Sequence, residues 1–330
     1  MHSFGTFAIR GMLLASASAQ QTGPRTVFQF PKPTWLENIA TTRSGHLLTG
    51  VLGSAPATLH VVDPVAPTND TLLHSFQGVD SVFGISEYAP DHFAVATGNY
   101  SPATGATKGT YAVWSVDVSQ VNGTRGSKVE KIADLDEMEV INGLAALNEK
   151  SVLLADSFAG VVVRLDVKNG HYETVINHTS TAFAKPLGVN GLKVLHTTNP
   201  PTLFYTNSQL NATFSAPINA HTGRLAGPVT TLAENRPVPD DIAVTDDGTA
   251  FFAQPYQGTL TRVRKGVEAV IVAGAEGSSV LAGATSVTLG RSYKDRGVVY
   301  AATMGGFAAD GSYAEGGKIV AVDLASEVAN

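Results

Sequence analysis

The chain reads as an all-β protein, a six-bladed β-propeller of four-stranded antiparallel blades around a central channel, and three observations predict that fold. A short strand opening recurs six times, as Glu37-Asn38-Ile39-Ala40, Phe83-Gly84-Ile85-Ser86, Asn142-Gly143-Leu144-Ala145, Asn190-Gly191-Leu192-Lys193, Asp240-Asp241-Ile242-Ala243 and Thr285-Ser286-Val287-Thr288. The aliphatic third positions lie 46, 59, 48, 50 and 45 residues apart, the period of a propeller blade rather than of a helical repeat. Finally, 43% of the 330 residues are hydrophobic and only 15% charged, with 33 Gly and 16 Pro, a composition of many short strands joined by tight turns. The repeat overrides the length rule that would divide such a chain into two domains. Residues 20–330 are therefore expected to form one propeller domain.

Residues 1–19 read as a secretory signal peptide. Arg10 precedes the short apolar run Gly11-Met12-Leu13-Leu14-Ala15, and Ala17-Ser18-Ala19 before Gln20 is an A-x-A-type cleavage site. The run is too short to span a bilayer, so no membrane span is expected. Five N-x-[ST] sequons, opening at Asn69, Asn99, Asn122, Asn177 and Asn211, are candidate glycosylation sites in loops or at strand ends and fit a secreted protein. Cysteine is absent, which excludes thiol catalysis, disulfide redox chemistry and thiolate metal sites. A domain of this size buries enough surface without disulfides.

Each opening is followed by a second, apolar strand: Leu47–Val51, Phe93–Thr97, Val152–Asp156, Leu203–Asn207, Ala250–Gln254 and Val298–Thr303. Gly45 and Asp246-Asp247-Gly248 supply tight turns between first and second strands. Val161–Asp166 and Leu260–Val263 are third strands, as is Lys318–Asp323. The last needs an outer partner, and the alternating Thr26–Phe30 is suited to pair with it and close the ring. The net charge of −6 comes without a basic stripe, so nucleic acid is not an expected partner.

The informative column stands two residues before each aliphatic position: Glu37, Phe83, Asn142, Asn190, Asp240 and Thr285. Equivalent positions on innermost strands converge on the channel, where Glu37, Asn142, Asn190 and Asp240 make an oxygen-rich set suited to calcium or another hard divalent cation. Turn formation by Asn and Asp is the plainer explanation of any single member. Four polar members at one register point to a functional centre.

The register of Glu37, Asn142-Gly143, Asn190-Gly191 and Pro239-Asp240 is similar to the metal-binding set of the regucalcin and gluconolactonase family, six-bladed propellers that hydrolyse lactones and related esters. Two departures stand out. Glu37 is followed by Asn38-Ile39 rather than a Gly-Pro-type turn, and Asp240 by Asp241 rather than Gly. Trp35-Leu36-Glu37-Asn38-Ile39-Ala40 and Pro239-Asp240-Asp241-Ile242-Ala243 look more like a fungal branch of that superfamily with secretory signals. Some of its members are hetero-Diels-Alderases that join a tropolone-derived quinone methide to humulene. The resemblance implies a pericyclase of secondary metabolism.

No G-x-S-x-G elbow, H-E-x-x-H or Gly-rich phosphate fingerprint is present, which removes support from serine hydrolase, zincin and nucleotide-dependent readings. His46, His60, His74 and His92 lie in or beside strands without ligand spacing and read as structural. Loops after the second strands carry Asn99-Tyr100, Ser157-Phe158, Asn207-Ser208, Gln254-Pro255-Tyr256 and Met304 to Phe307. With Trp35 and Phe83 they describe a pocket for a bulky, mostly apolar small molecule. The expected catalytic residues are Glu37, Asn142, Asn190, Asp240 and Thr285; the expected substrate-binding residues are Trp35, Phe83, Asn99, Ser157, Phe158, Asn207, Tyr256, Met304 and Phe307.

Two functional classes follow, with a third behind them. A cyclase would orient a polyene and a reactive enone without any cofactor, with Asn142, Asn190 or Tyr256 donating a hydrogen bond to the enone carbonyl. A metal-dependent lactonase would hold a cation on Glu37, Asn142, Asn190 and Asp240, with Asp240 or Glu37 moving a proton. A non-catalytic binding propeller has no specific partner in the sequence.

Overall fold

A computed structural model describes residues 23–101, 104–119, 127–183 and 187–324. The expected signal segment and the Asn122 sequon lie outside them. Six four-stranded antiparallel sheets follow one another along the chain as blades. The inner strands are Trp35–Thr41, Ser81–Ala89, Ile141–Asn148, Val189–Leu195, Ile242–Val244 and Ala284–Leu289. In the sixth blade the outer strand is Arg25–Gln29, antiparallel to Lys318–Asp323, with Arg25 opposite Ala321 and Gln29 opposite Lys318. The two ends of the chain thus close the ring, as the Thr26–Phe30 alternation predicts.

The aliphatic position of every opening is buried: Ile39, Ile85, Leu144, Leu192, Ile242 and Val287. Apolar clusters fill the interfaces between neighbouring blades. Phe83 and Leu144, for example, share one cluster across blades two and three, and Leu192 packs with Leu153 and Val162 across blades three and four. Burial of such side chains contributes about 1.5–3 kcal/mol each. Among the described residues no helix is long and apolar enough to cross a membrane.

Around the axis the inner strands meet by two different devices. Gly84, Gly143 and Gly191 permit direct contact with the next strand: an added Cβ would stand 2.5 Å from the Asn142 carbonyl oxygen, 2.4 Å from that of Asn190 and 2.5 Å from the Asp241 Cα. On the other side of the ring, side chains bridge the gap. Asp241 Oδ2 accepts from Asn38 Nδ2 at 2.9 Å and from Ser286 Oγ at 2.7 Å, and Asn38 Oδ1 accepts from the Ile85 amide at 3.2 Å. Asn38 and Asp241 are the two departures from the gluconolactonase pattern. In the fold they are partners in one hydrogen bond.

Gly143→Ala is expected to lower stability by about 1–3 kcal/mol, because the strand of blade four has to move away. Gly297→Ala, exposed and with open space around an added Cβ, should stay within about 0.5 kcal/mol of the parent. Urea unfolding midpoints of the two variants check the contrast.

Candidate active site

The column residues are aimed by β-bulges. Pairing between inner and second strands slips between Leu36 and Asn38, Val82 and Ile85, Ile141 and Leu144, Val189 and Leu192, and Ala284 and Ser286. Glu37, Phe83, Asn142, Asn190 and Thr285 are the residues in those slips, left out of the regular ladder, and a bulge turns such residues out of the strand's alternation. Asp240 stands just before regular pairing begins in blade five, its amide donating to the Ala253 carbonyl at 2.8 Å. Glu37, Phe83, Asn142, Asn190 and Asp240 all line one axial chamber of about 290 Å³.

Thr285 does not. Its hydroxyl donates to the carbonyl oxygens of Leu36 at 2.7 Å and Ala302 at 3.3 Å, so it ties blade six to blade one instead of facing a ligand. Three polar loop residues expected in the pocket are also spent on structure. Asn99 Oδ1 accepts from the Asp80 amide, Ser157 Oγ donates to the Val189 carbonyl at 2.6 Å, and Asn207 Nδ2 donates to the carbonyls of Ser180 and Ala182. Each satisfies backbone groups that a buried loop would otherwise leave unpaired. The expected apolar residues fare differently: Trp35, Phe83, Phe158, Tyr256, Met304 and Phe307 all line the chamber.

Tyr256 and Phe307 are 64% and 45% exposed and form the rim. The Trp35 and Phe307 rings meet edge to face at 6.1 Å, and Tyr313 packs on both. Sequence reasoning missed Tyr313, because the loop from Met304 to Gly317 folds back and pairs Phe307 with Tyr313. It also missed Leu52, Val140, Leu187 and Val238 in the wall, apolar residues with no spacing signal. Val238 adopts a left-handed backbone (φ 43°), costly for a β-branched residue. Its amide is held by Asn211 Oδ1 at 2.8 Å.

The polar floor has a definite donor and acceptor order. Asn190 Nδ2 donates to Ser208 Oγ at 2.9 Å, and Ser208 Oγ donates to the Pro239 carbonyl at 2.8 Å. Because the serine proton goes to a carbonyl, its oxygen must receive a donor, which orients the amide. Asn190 Oδ1 is left buried without a partner among the described residues. Asn190 Nδ2 is thus engaged by Ser208 and lies beside the Asp240 carboxyl, so it is not the free donor expected from sequence.

Glu37 is buried and accepts from Trp35 Nε1 at 2.6 Å through Oε2. Loss of hydration, opposed by that hydrogen bond and reinforced by the Asp241 charge, pushes its carboxyl up to about 8. Asp240 is raised as well, first by desolvation and then by the neighbouring Glu37 and Asp241 carboxyls. With Oε2 taken by the indole N–H, Oε1 is the oxygen left to carry a proton when the carboxyl is neutral. A neutral buried carboxyl is a strong hydrogen-bond donor.

Among the described residues no group of three or more His, Cys, Asp or Glu side chains is placed to hold a metal. A cation would rely on the amide oxygens beside Glu37 and Asp240. The side-chain oxygens of Glu37, Asn142 and Asp240 and the absence of a positive side chain among the lining residues fit a hard divalent ion.

No family model matches the chain. Two curated proteins do: "Putative hetero-Diels-Alderase asR5" of Sarocladium schorii, 24% identical over 325 residues that cover 86% of this chain and 79% of that one, and "Putative hetero-Diels-Alderase" of a Phoma species, 23% identical over 332 residues, covering 89% and 91%. This chain resembles hetero-Diels-Alderase propellers. That resemblance, drawn above from Trp35–Ala40 and Pro239–Ala243, runs along most of the chain. The calcium-binding protein regucalcin of Agrobacterium tumefaciens has the same fold, with a TM-score of 0.63 over 91% of this chain and 93% of that one at 11% identity.

The raised Glu37 carboxyl sets a pH dependence. Its native value of about 8 lies above the ordinary 4.5, so its contribution to stability is fully present below about pH 4.5 and is lost as pH rises through about 8. In metal-free buffer Glu37→Gln should melt with the parent near pH 5 and several degrees above it near pH 9. Equal melting temperatures at both pH values would contradict the burial of an ionisable Glu37.

Proposed function

We propose that the chain is a cyclase of the hetero-Diels-Alderase type, joining an electron-poor, carbonyl-conjugated partner to an alkene of a polyene. The observation that carries this reading is the chamber itself: an aromatic wall over a floor of buried carboxyl and amide groups. The likeness to two proteins named as hetero-Diels-Alderases along most of the chain supports it. The reaction forms two σ bonds at the expense of two π bonds. No external nucleophile, oxidant or cofactor enters the balance.

Glu37 Oε1–H donates to the carbonyl oxygen of the electron-poor partner, on which negative charge grows as the new bonds form. A preorganised donor to such a charge contributes roughly 3–4 kcal/mol. Trp35, Phe83 and Phe158 pack against the electron-poor partner, and near-attack positioning supplies several kcal/mol more. The apolar wall keeps water from adding to a reactive enone or quinone methide.

A metal-dependent lactonase is the second reading, favoured by the carboxyl and amide residues that line the floor with no positive side chain among them. Glu37, Asn142, Asn190 and Asp240 would hold the ion, which would supply Lewis acidity toward a lactone carbonyl. Chelation separates the two. A cyclase keeps its rate in EDTA, whereas loss of activity that calcium restores at unchanged melting temperature would overturn the cyclase reading.

The direct test is turnover of a quinone methide generated in situ with a polyene, measured as product formed over the uncatalysed background. Glu37→Leu should lower kcat about 100-fold or more. Glu37→Gln should keep most of the rate, because the amide N–H replaces the acid proton. Identical rates in all three proteins would remove Glu37 from the chemistry.

We also infer passage through the secretory pathway, from the segment before Gln20 and the sequons. Asn69 and Asn177 are exposed, whereas Asn99 Oδ1 and Asn211 Oδ1 accept backbone N–H groups of Asp80 and Val238. Of these four, peptide mapping of protein from a eukaryotic host should find glycans on Asn69 and Asn177. Glycan-free protein retaining Met1 would refute secretion.

A further inference from the structure

The axial chamber has room for one ligand of modest size. Its volume of about 290 Å³ sits at the low end of the range for one drug-sized ligand, roughly 300–1,000 Å³. Beside it lies a second cavity of about 430 Å³. Pro255, Tyr256, Met304 and Phe307 line both, so they are the partition between them.

The second cavity is built from the connection between blades five and six and from the loop after the second strand of blade six. Its wall is made of small residues, Gly258, Gly277, Ser278, Ala282 and Gly306 among them, so few side chains fill the space. Gly283 is required at its edge: with φ at 68° and an added Cβ only 2.4 Å from Met304 Cγ, it lets the methionine lie flat in the partition. The one acidic side chain in the wall, Glu315, is ion-paired, although its buried Oε1 makes no aligned hydrogen bond among the described residues. Its Oε1 lies 2.7 Å from Lys318 Nζ, and its Oε2 accepts from Gln29 Nε2 at 3.1 Å. Lys318 Nζ also donates to the Ser279 carbonyl at 2.5 Å, and the lysine is itself buried. A wall of small residues, one thioether and aromatic rings with its only charges paired suits an uncharged, apolar ligand.

We propose that the second cavity is the binding site for the polyene, and that the axial chamber takes only the carbonyl-bearing partner. The division rests on the cyclase reading and follows from the chemistry of the two walls. The carboxyl and amide side chains of Glu37, Asn142, Asn190 and Asp240 line the axial chamber, whereas the one carboxyl lining the second, Glu315, is ion-paired with Lys318. The reacting ends of the two molecules then meet at the partition, between Met304 and Phe307.

Ala282 is half-buried, not left-handed, and lines the second cavity but not the first. Ala282→Leu should fill that space. The probe is β-farnesene, a C15 hydrocarbon unreactive alone, with binding to the full chain read by depletion from the headspace. Wild type should bind it, and Ala282→Leu should weaken binding at least about tenfold at an unchanged melting temperature. In turnover the same variant should raise KM for the polyene by a similar factor and leave KM for the electron-poor partner within about twofold. Equal farnesene binding by both proteins, or a rise confined to KM for the electron-poor partner, overturns the proposal. If wild type binds farnesene and Ala282→Leu does not, yet no cycloaddition is found with any pair, the cyclase reading fails while the apolar site stands. Ser278→Leu, filling the same cavity from another segment, replaces Ala282→Leu should that variant not fold, with the same two outcomes deciding.

Discussion

The arrangement at the axis depends on how six inner strands are brought within contact of one another. On one side of the ring Gly84, Gly143 and Gly191 do this by having no side chain. On the other, the Asp241 carboxylate gathers Asn38 from blade one and Ser286 from blade six. A buried carboxylate is tolerable only when its oxygens are satisfied. Here Oδ2 takes two side-chain donors and Oδ1 takes the Ile242 amide. The network also joins residues 203 positions apart, beside the interface where the chain's two ends meet, so ring closure and axial packing support each other.

Glu37 and Asp240, two of the chamber's polar residues, stand one residue upstream of that network. The slip in strand pairing that sets Asn38 and Ser286 at the axis also releases Glu37 and Thr285 from the ladder. Glu37 enters the chamber, and Thr285 turns to the Leu36 carbonyl. Asp241 then acts on the site electrostatically: its charge adds to the desolvation that raises the Glu37 and Asp240 carboxyls. A Gly in place of Asp241, as in the gluconolactonase pattern, would lack that charge. The same substitution thus alters the packing of the ring and the protonation of the floor.

The rim is organised on a different principle. It comes from loops, and their polar side chains are used to hold the loops in place. Asp156 accepts from the amides of Glu139, Val140 and Ala159, and Asn207 bridges to the Ser180 and Ala182 carbonyls. With their hydrogen bonds spent internally, the loops present mainly rings, Val and Leu side chains and a methionine to the cavities. Loops anchored in this way give an apolar mouth a fixed shape.

Periodicity made most of the fold legible before any coordinates. Ile39, Ile85, Leu144, Leu192, Ile242 and Val287 announce the blades because burial between sheets demands an aliphatic residue at one register, and that demand is local. The alternating Thr26–Phe30 likewise announces a strand in want of a partner. The column at the axis was legible for the same reason, and five of its six members reach the chamber. What each member does there was not. Whether Asn190 donates or accepts is decided by Ser208 and Pro239, whether Thr285 faces a ligand is decided by Leu36, and whether Asn99, Ser157 and Asn207 are available is decided by Asp80, Val189 and Ser180. The chain alone determined the six blades and the register of their centre, since both follow from short-range alternation repeated along the chain. Tertiary structure decided donor direction, protonation and the partition between two cavities, because a hydrogen bond or a desolvated charge belongs to groups that meet only when distant segments pack.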